Sequence, residues 1–208
     1  MGRMNWKDFL SDKKNKTEFI VSLIFLAVVL AVLAWFINYV ELRQGVAFND
    51  PLLELFNPID LTWFTFGLIY FALILAIVSL INNPVKLLFA LQLYSLMVFV
   101  RIIAMFLLPL DPPEKMILLK DPFVELFGSG KTLTKDLFFS GHTATLFILY
   151  LVSEKKKIKM YFLISTILVA AFVLLQHVHY TIDVFAAIFF TYACYKLLSK
   201  ISRRKVNG

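Results

Sequence analysis

Apolar residues in this chain run in long blocks broken by short polar separators, with no alternation of wet and oily faces, a pattern that predicts helices buried all round. Six such blocks are read as membrane spans: about 19 to 40, 61 to 81, 85 to 108, 137 to 153, 160 to 176 and 178 to 198. The last three are short, and the fifth and sixth are nearly fused. Residues 1 to 18 are polar and basic and are expected to form a cytoplasmic or interfacial segment. The run that follows them is too long for a signal peptide and exits through NYVELRQG without a small-residue cleavage site.

Composition agrees with the pattern, because 60% of the 208 residues are hydrophobic and 16% aromatic, with a mean hydropathy of +0.80. The expected class is an all-α integral membrane protein, a six-transmembrane helix bundle over 19 to 198 followed by a basic tail at 199 to 208. Fifteen of the 21 lysines and arginines fall at the N-terminus, Lys86, the EKKKIK loop and the C-terminal end, and only Arg43, Lys115, Lys120, Lys131 and Lys135 fall in the opposite loops. Both termini are therefore expected in the cytoplasm. The net charge of +7 is then a topology signal, and with no folded basic module to carry it, nucleic-acid binding is excluded. The single cysteine, Cys194, excludes an internal disulfide and reads as a small core residue.

Chemistry-bearing residues gather at the outer end of the expected bundle. His179 and Asp183 stand four apart in QHVHYTIDVFAA, a spacing that places both on one face of a helix and lets the carboxylate hold one imidazole nitrogen while the other stays free. Against that stands a reading of Asp183 as partner to a neighbouring helix, but an ionisable group inside a span costs about 2.5 to 3.5 kcal/mol on insertion scales, which favours function. His142 lies in DLFFSGHTATLF, expected about 9 Å in from Asp136 at helical rise. Beside it, Gly141 permits close backbone approach and Ser140 offers a hydroxyl. Arg101 is the one cation inside a span; its partner is a phosphate or a permanent carboxylate, Asp136 or Asp183. Asp136 reads equally as the N-cap of the fourth span. His177 reads as a helix-end or rim residue.

The segments DLFFSGHT and HYTIDV resemble the two histidine motifs of the sphingomyelin synthase family, a branch of the type 2 phosphatidic acid phosphatase superfamily. The likeness includes an aspartate six positions before the first histidine, here Asp136, and a degraded arginine then leucine-proline motif at Arg101 and LLPLDPP, so that it spans roughly residues 50 to 195. The resemblance implies a phosphotransferase in which His179 is the nucleophile, Asp183 orients it and His142 protonates the leaving alkoxide and then deprotonates the acceptor. It also implies a phosphate site drawn from Arg101, Ser140, Gly141, Asp136 and Tyr180, with no metal and no cofactor. The implied partners are a membrane phospholipid and a lipid or small alcohol acceptor, or water.

One departure bears on the substrate. Phosphatases of the broader superfamily carry an arginine shortly before the nucleophilic histidine, and here that stretch reads AAFVLLQHV. Few cations favour a singly charged phosphodiester, such as phosphatidylcholine or phosphatidylethanolamine, over a phosphomonoester. The expectation is head-group transfer at the outer face of a bacterial inner membrane, with lipid phosphate hydrolysis as the alternative. A non-catalytic carrier or scaffold is the reading of another class, and a carrier would place its charges at the midplane in paired broken helices. Head group, acceptor and oligomeric state have no sequence signal.

Overall fold

The computed structural model of the chain describes residues 4–121 and 133–207, with side chains as far as Ser202. Of the charges that set the expected topology, Arg3 and Lys131 lie outside the described residues, as do the side chains of Arg203, Arg204 and Lys205. Seven α-helices are described: α1 (Trp6–Ser11), α2 (Lys13–Glu41), α3 (Thr62–Leu80), α4 (Pro84–Leu107), α5 (Gly141–Val152), α6 (Lys156–Leu175) and α7 (Thr181–Asn207). No strand is found among the described residues; the one β-bridge, between Val46 and Leu110, joins two loops.

Local signals start the first helices. Asn5 and Asp12 each accept a hydrogen bond from the backbone three residues on, capping α1 and α2. At α4, Asn83 caps Lys86 N–H and Pro84 occupies the first helical position, where a missing N–H costs nothing. The short α1 packs against α2, burying Phe9 in edge-to-face contact with Trp6 and Phe19.

Five helices, α2, α3, α4, α6 and residues Thr181–Ser202 of α7, are long and apolar enough to cross a membrane. On α2 the side chains of Val21, Ile24, Val28 and Trp35 stand more than half exposed, a surface that only lipid tolerates over such a length.

The fourth apolar block departs from its expected helix over 137 to 153. Helix begins only at Gly141 and runs 12 residues, about 18 Å, too short to cross a hydrocarbon core of about 30 Å. The residues before it are non-helical although Leu137, Phe139 and Ser140 are fully buried. Their backbone partners come from elsewhere: Arg101 donates to the carbonyls of Phe139 and Asp136, and Ser140 N–H donates to the carbonyl of Asp183. Irregular backbone at membrane depth is stable when protein groups satisfy it in this way. The helical rise used to place His142 below Asp136 therefore does not apply.

Helix α5 is nonetheless the centre of the bundle, packed against α3, α4, α6 and α7. Thr143, Ala144 and Leu146 have no exposed surface. One apolar cluster joins α4, α5 and α7 around Leu93, Met97, Ala144 and Ala187, and a second joins α3, α5 and α6 around Ala72, Leu146, Phe162 and Val169.

Candidate active site

The turn between α6 and α7 carries the second histidine motif. Helix α6 closes as a Schellman motif, with His177 N–H donating to Leu174 and Val178 N–H to Val173. That closure needs a left-handed residue, and His177 supplies it at φ 55°, where glycine is usual. Its ring lies edge-on to Phe56 at 5.3 Å.

His179 does not open α7 as expected but precedes it, since the helix begins at Thr181. Asp183, in the first turn, reaches back instead, and its Oδ2 accepts from Tyr180 N–H at 3.0 Å and lies 3.3 Å from His179 Nδ1. The four-residue spacing thus works by capping: the carboxylate satisfies an orphan backbone donor and holds the imidazole with the same oxygen. His179 is 1% exposed and Asp183 fully buried. With Nδ1 facing a carboxylate, the proton sits on Nδ1 and the lone pair is left on Nε2. The other carboxylate oxygen, Oδ1, has no hydrogen-bond partner among the described residues.

The first motif meets this turn through backbone. Ser140 N–H bonds to the Asp183 carbonyl at 3.2 Å, and Ser140 Oγ caps α5, accepting from Thr143 N–H at 3.4 Å. Ser140, and not Asp136, is therefore the N-cap, because the chain reaches helical geometry only after the buried non-helical stretch. His142 is the second residue of α5. Its ring stands edge-on to His179 with centroids 6.3 Å apart, and edge-on to Phe66 at 5.9 Å. Its Nδ1 is buried without a hydrogen-bond partner among the described residues, an arrangement that calls for explanation in a native site.

Arg101 reaches the same place from α4. Its Nη2 pairs with Asp136 Oδ1 at 2.8 Å and its Nε donates to the Phe139 carbonyl at 2.5 Å, so the guanidinium is both ion-paired and fastened to the segment that delivers His142. A Cβ on Gly141 would stand 3.2 Å from the Arg101 Cζ, so glycine at this position lets the guanidinium lie against the start of α5.

Arg101, Asp136, Gly141 and His142 line one cavity of about 450 Å³. His179 stands beside His142 but does not line that cavity. Tyr180 is set apart from it. Its ring stacks on Phe48 at 4.1 Å, its hydroxyl donates to the Asp111 carbonyl at 2.9 Å, and it lines a separate outer pocket with His177, Asp50 and Lys115. Burial raises the phenol's pKa. The residue immediately before α7 contributes its backbone to the site and its side chain to the outer cap. An aromatic residue next to His179 and three positions before Asp183 has no sequence signal that separates those roles.

Four supporting residues had no signal in the chain. Asp50 accepts from both N–H and hydroxyl of Thr181 and so caps α7 from the 41 to 60 loop. Gln176 is fully buried and binds Leu61 N–H, the Thr62 hydroxyl and the Ile117 carbonyl, which caps α3. Glu41 accepts from Thr134 and Lys135 and holds the segment leading to Asp136. Tyr70 donates to Asp121, both at the cavity wall. Each partner lies at least 50 residues away, beyond the reach of any local pattern.

Residues 135–201 match the family model described as PAP2 superfamily C-terminal. The match covers about a third of the chain and contains Asp136, Ser140, His142, His179 and Asp183. It supports the type 2 phosphatidic acid phosphatase superfamily, and with it a lipid phosphatase or phosphotransferase type of activity in an integral membrane protein. No curated protein matches the chain at a significant level.

Proposed function

We propose that this protein is a membrane lipid phosphotransferase that moves a phospho-head-group from a glycerophospholipid through a phosphohistidine, in the manner of the sphingomyelin synthase branch. The observation that carries the reading is the pair of imidazoles 6.3 Å apart, with Asp183 on Nδ1 of His179. Rings this near in centroid can both address one phosphoryl group, one by attack and the other by proton transfer.

In the first step His179 Nε2 attacks phosphorus, and Asp183 stabilises the positive charge that develops on the ring. The phosphorus–oxygen bond to the diacylglycerol breaks as protonated His142 gives its proton to the departing alkoxide, a leaving group too poor to go alone. Now neutral, His142 takes the proton of the acceptor hydroxyl, whose oxygen attacks phosphorus and releases His179. Water at this second step gives hydrolysis instead.

The cation count favours a diester donor. Among the described residues lining the cavity Arg101 is the one arginine or lysine, and it already answers Asp136. A monoester dianion in so apolar a place lacks the countercharge it needs, whereas a diester brings a single negative charge. The charge asymmetry of the loops supports cytoplasmic termini and six crossings, the fourth made by the non-helical residues before α5 together with α5, and with them a site at the outer leaflet. The compact chain suits a bacterial inner membrane.

Purified protein incubated separately with phosphatidylcholine, phosphatidylethanolamine and phosphatidate, with and without ceramide, tests the reading. Diacylglycerol formed with the head group passed to ceramide is the expected result. Inorganic phosphate from phosphatidate with both diesters untouched would establish the hydrolase instead.

A further inference from the structure

The cavity below the two histidines is far deeper than a phosphate requires. On α4 its wall is a helical stripe descending from Arg101 through Met97, Tyr94 and Ala90 to Leu87. Arg101 and Leu87 are fourteen residues apart, a drop of about 21 Å. A facing stripe on α3 runs from Phe66 through Leu73 and Ala76 to Leu80 at the opposite end of the bundle. Helix α5 closes the third side with His142, Thr145 and Ile148. Helices α3 and α4 scarcely touch although they are consecutive, so the two stripes face each other across a gap. Polar side chains gather at the top of the gap, and its lower half is aliphatic.

We propose that this gap is a slot for a single acyl chain, and that Ala76, Ala90 and Leu87 set the chain length it accepts. Depth and volume point to the same occupant. A drop of about 21 Å exceeds the roughly 15 Å of hydrocarbon in one leaflet, so the slot takes a whole chain. An enclosed apolar cavity of about 150 Å³ holds one benzene, six carbons, so 450 Å³, part of it the polar mouth around Arg101, Asp136 and His142, sets an upper bound of about 18 carbons. Two chains of a membrane lipid do not fit, and the second chain of a diacyl substrate stays in the bilayer. Ala90 lies about 16 Å below Arg101 and Leu87 about 5 Å further. Small residues at Ala76 and Ala90 keep the lower slot open, and Leu87 closes it.

The identity of the occupant as substrate rests on the proposed head-group transfer, so binding is measured apart from turnover. Full-length protein in detergent, with His179→Ala in parallel, is titrated with lysophosphatidylcholines of roughly 10 to 22 carbons, bracketing the capacity estimated above, and bound lipid is counted by native mass spectrometry. Affinity should rise with chain length to an optimum at or below about 18 carbons and then fall. Ala90→Leu should move the optimum about three carbons shorter and weaken the lipid of the wild-type optimum length by roughly 50-fold. Leu87→Ala should move the optimum about three carbons longer, and it carries the test if the larger side chain at Ala90 disturbs folding. An optimum that stays put in both variants, or affinity that climbs through 22 carbons without a break, overturns the slot. Shifted optima together with no head-group transfer by the wild type would uphold the slot and remove the catalytic reading.

Discussion

At the scale of single residues, Asp183 does two things with one oxygen, and the two separate by substitution. An asparagine keeps an acceptor for Tyr180 N–H but cannot stabilise an imidazolium. Asp183→Asn should therefore melt within a few degrees of the wild type and lose activity by a factor of roughly 10² to 10⁴, as read by diacylglycerol release. His142→Ala should slow turnover of natural lipids by a factor of roughly 10² to 10⁴, and much less for a substrate leaving as p-nitrophenol, which departs without a proton. Equal losses on both substrates would assign His142 to phosphate binding. His177, in the turn outside the membrane-spanning helices, reports on pH. Burial, then the nearby Lys115, hold its pKa below the ordinary 6.5. The fold prefers its neutral ring, so the stability it contributes is complete above pH 6.5 and is lost as pH falls towards the depressed folded value. His177→Asn, which tolerates the left-handed backbone, should flatten the fall in melting temperature between pH 7 and pH 5.

Whole elements are positioned by contacts that two glycines and one carboxylate make visible. A Cβ on Gly45 would lie 2.5 Å from the backbone carbon of Leu110 and 2.6 Å from Asp111 N, where neither atom can yield. Gly45→Ala should destabilise by about 1 to 3 kcal/mol through loss of the Val46 bridge to Leu110. At Gly141 the nearest atoms belong to the end of a long side chain. Gly141→Ala should cost little stability but displace the Arg101 guanidinium and lower kcat/KM. Comparing the two variants by thermal unfolding and by activity distinguishes a glycine kept for the fold from one kept for the site. Asp50→Ala removes the cap of α7 and should cost about 0.5 to 2 kcal/mol, with activity falling as well, because the same turn carries His179.

Across the whole molecule, topology and site make a joint prediction. With cytoplasmic termini, a cysteine introduced at Glu114 in a Cys194→Ala background should react with a membrane-impermeant maleimide in intact cells, while one at Lys157 should react only after lysis. The reverse labelling would put the histidines on the cytoplasmic face and remove the outer leaflet from the proposed reaction.

Much of this was legible along the chain because its causes are local or additive. Hydropathy summed over some 20 residues locates a span whatever it packs against, which is why five of the six expected spans overlap long apolar helices. Asp183 and His179 are close because they are close in sequence, so their pairing needed only a tight turn. The fourth span misled the same reasoning, since DLFFS is as apolar outside a helix as within one. What holds it out of the helix is Arg101, from a helix more than 30 residues earlier, binding the Phe139 carbonyl. The pairing of Arg101 with Asp136, the capping of α7 by Asp50, the distance between the two imidazoles and the gap between α3 and α4 depend likewise on residues that meet only when the bundle packs. Periodicity can say which residues share a face. Only tertiary packing decides which face meets which, and whether the two faces close or leave room between them.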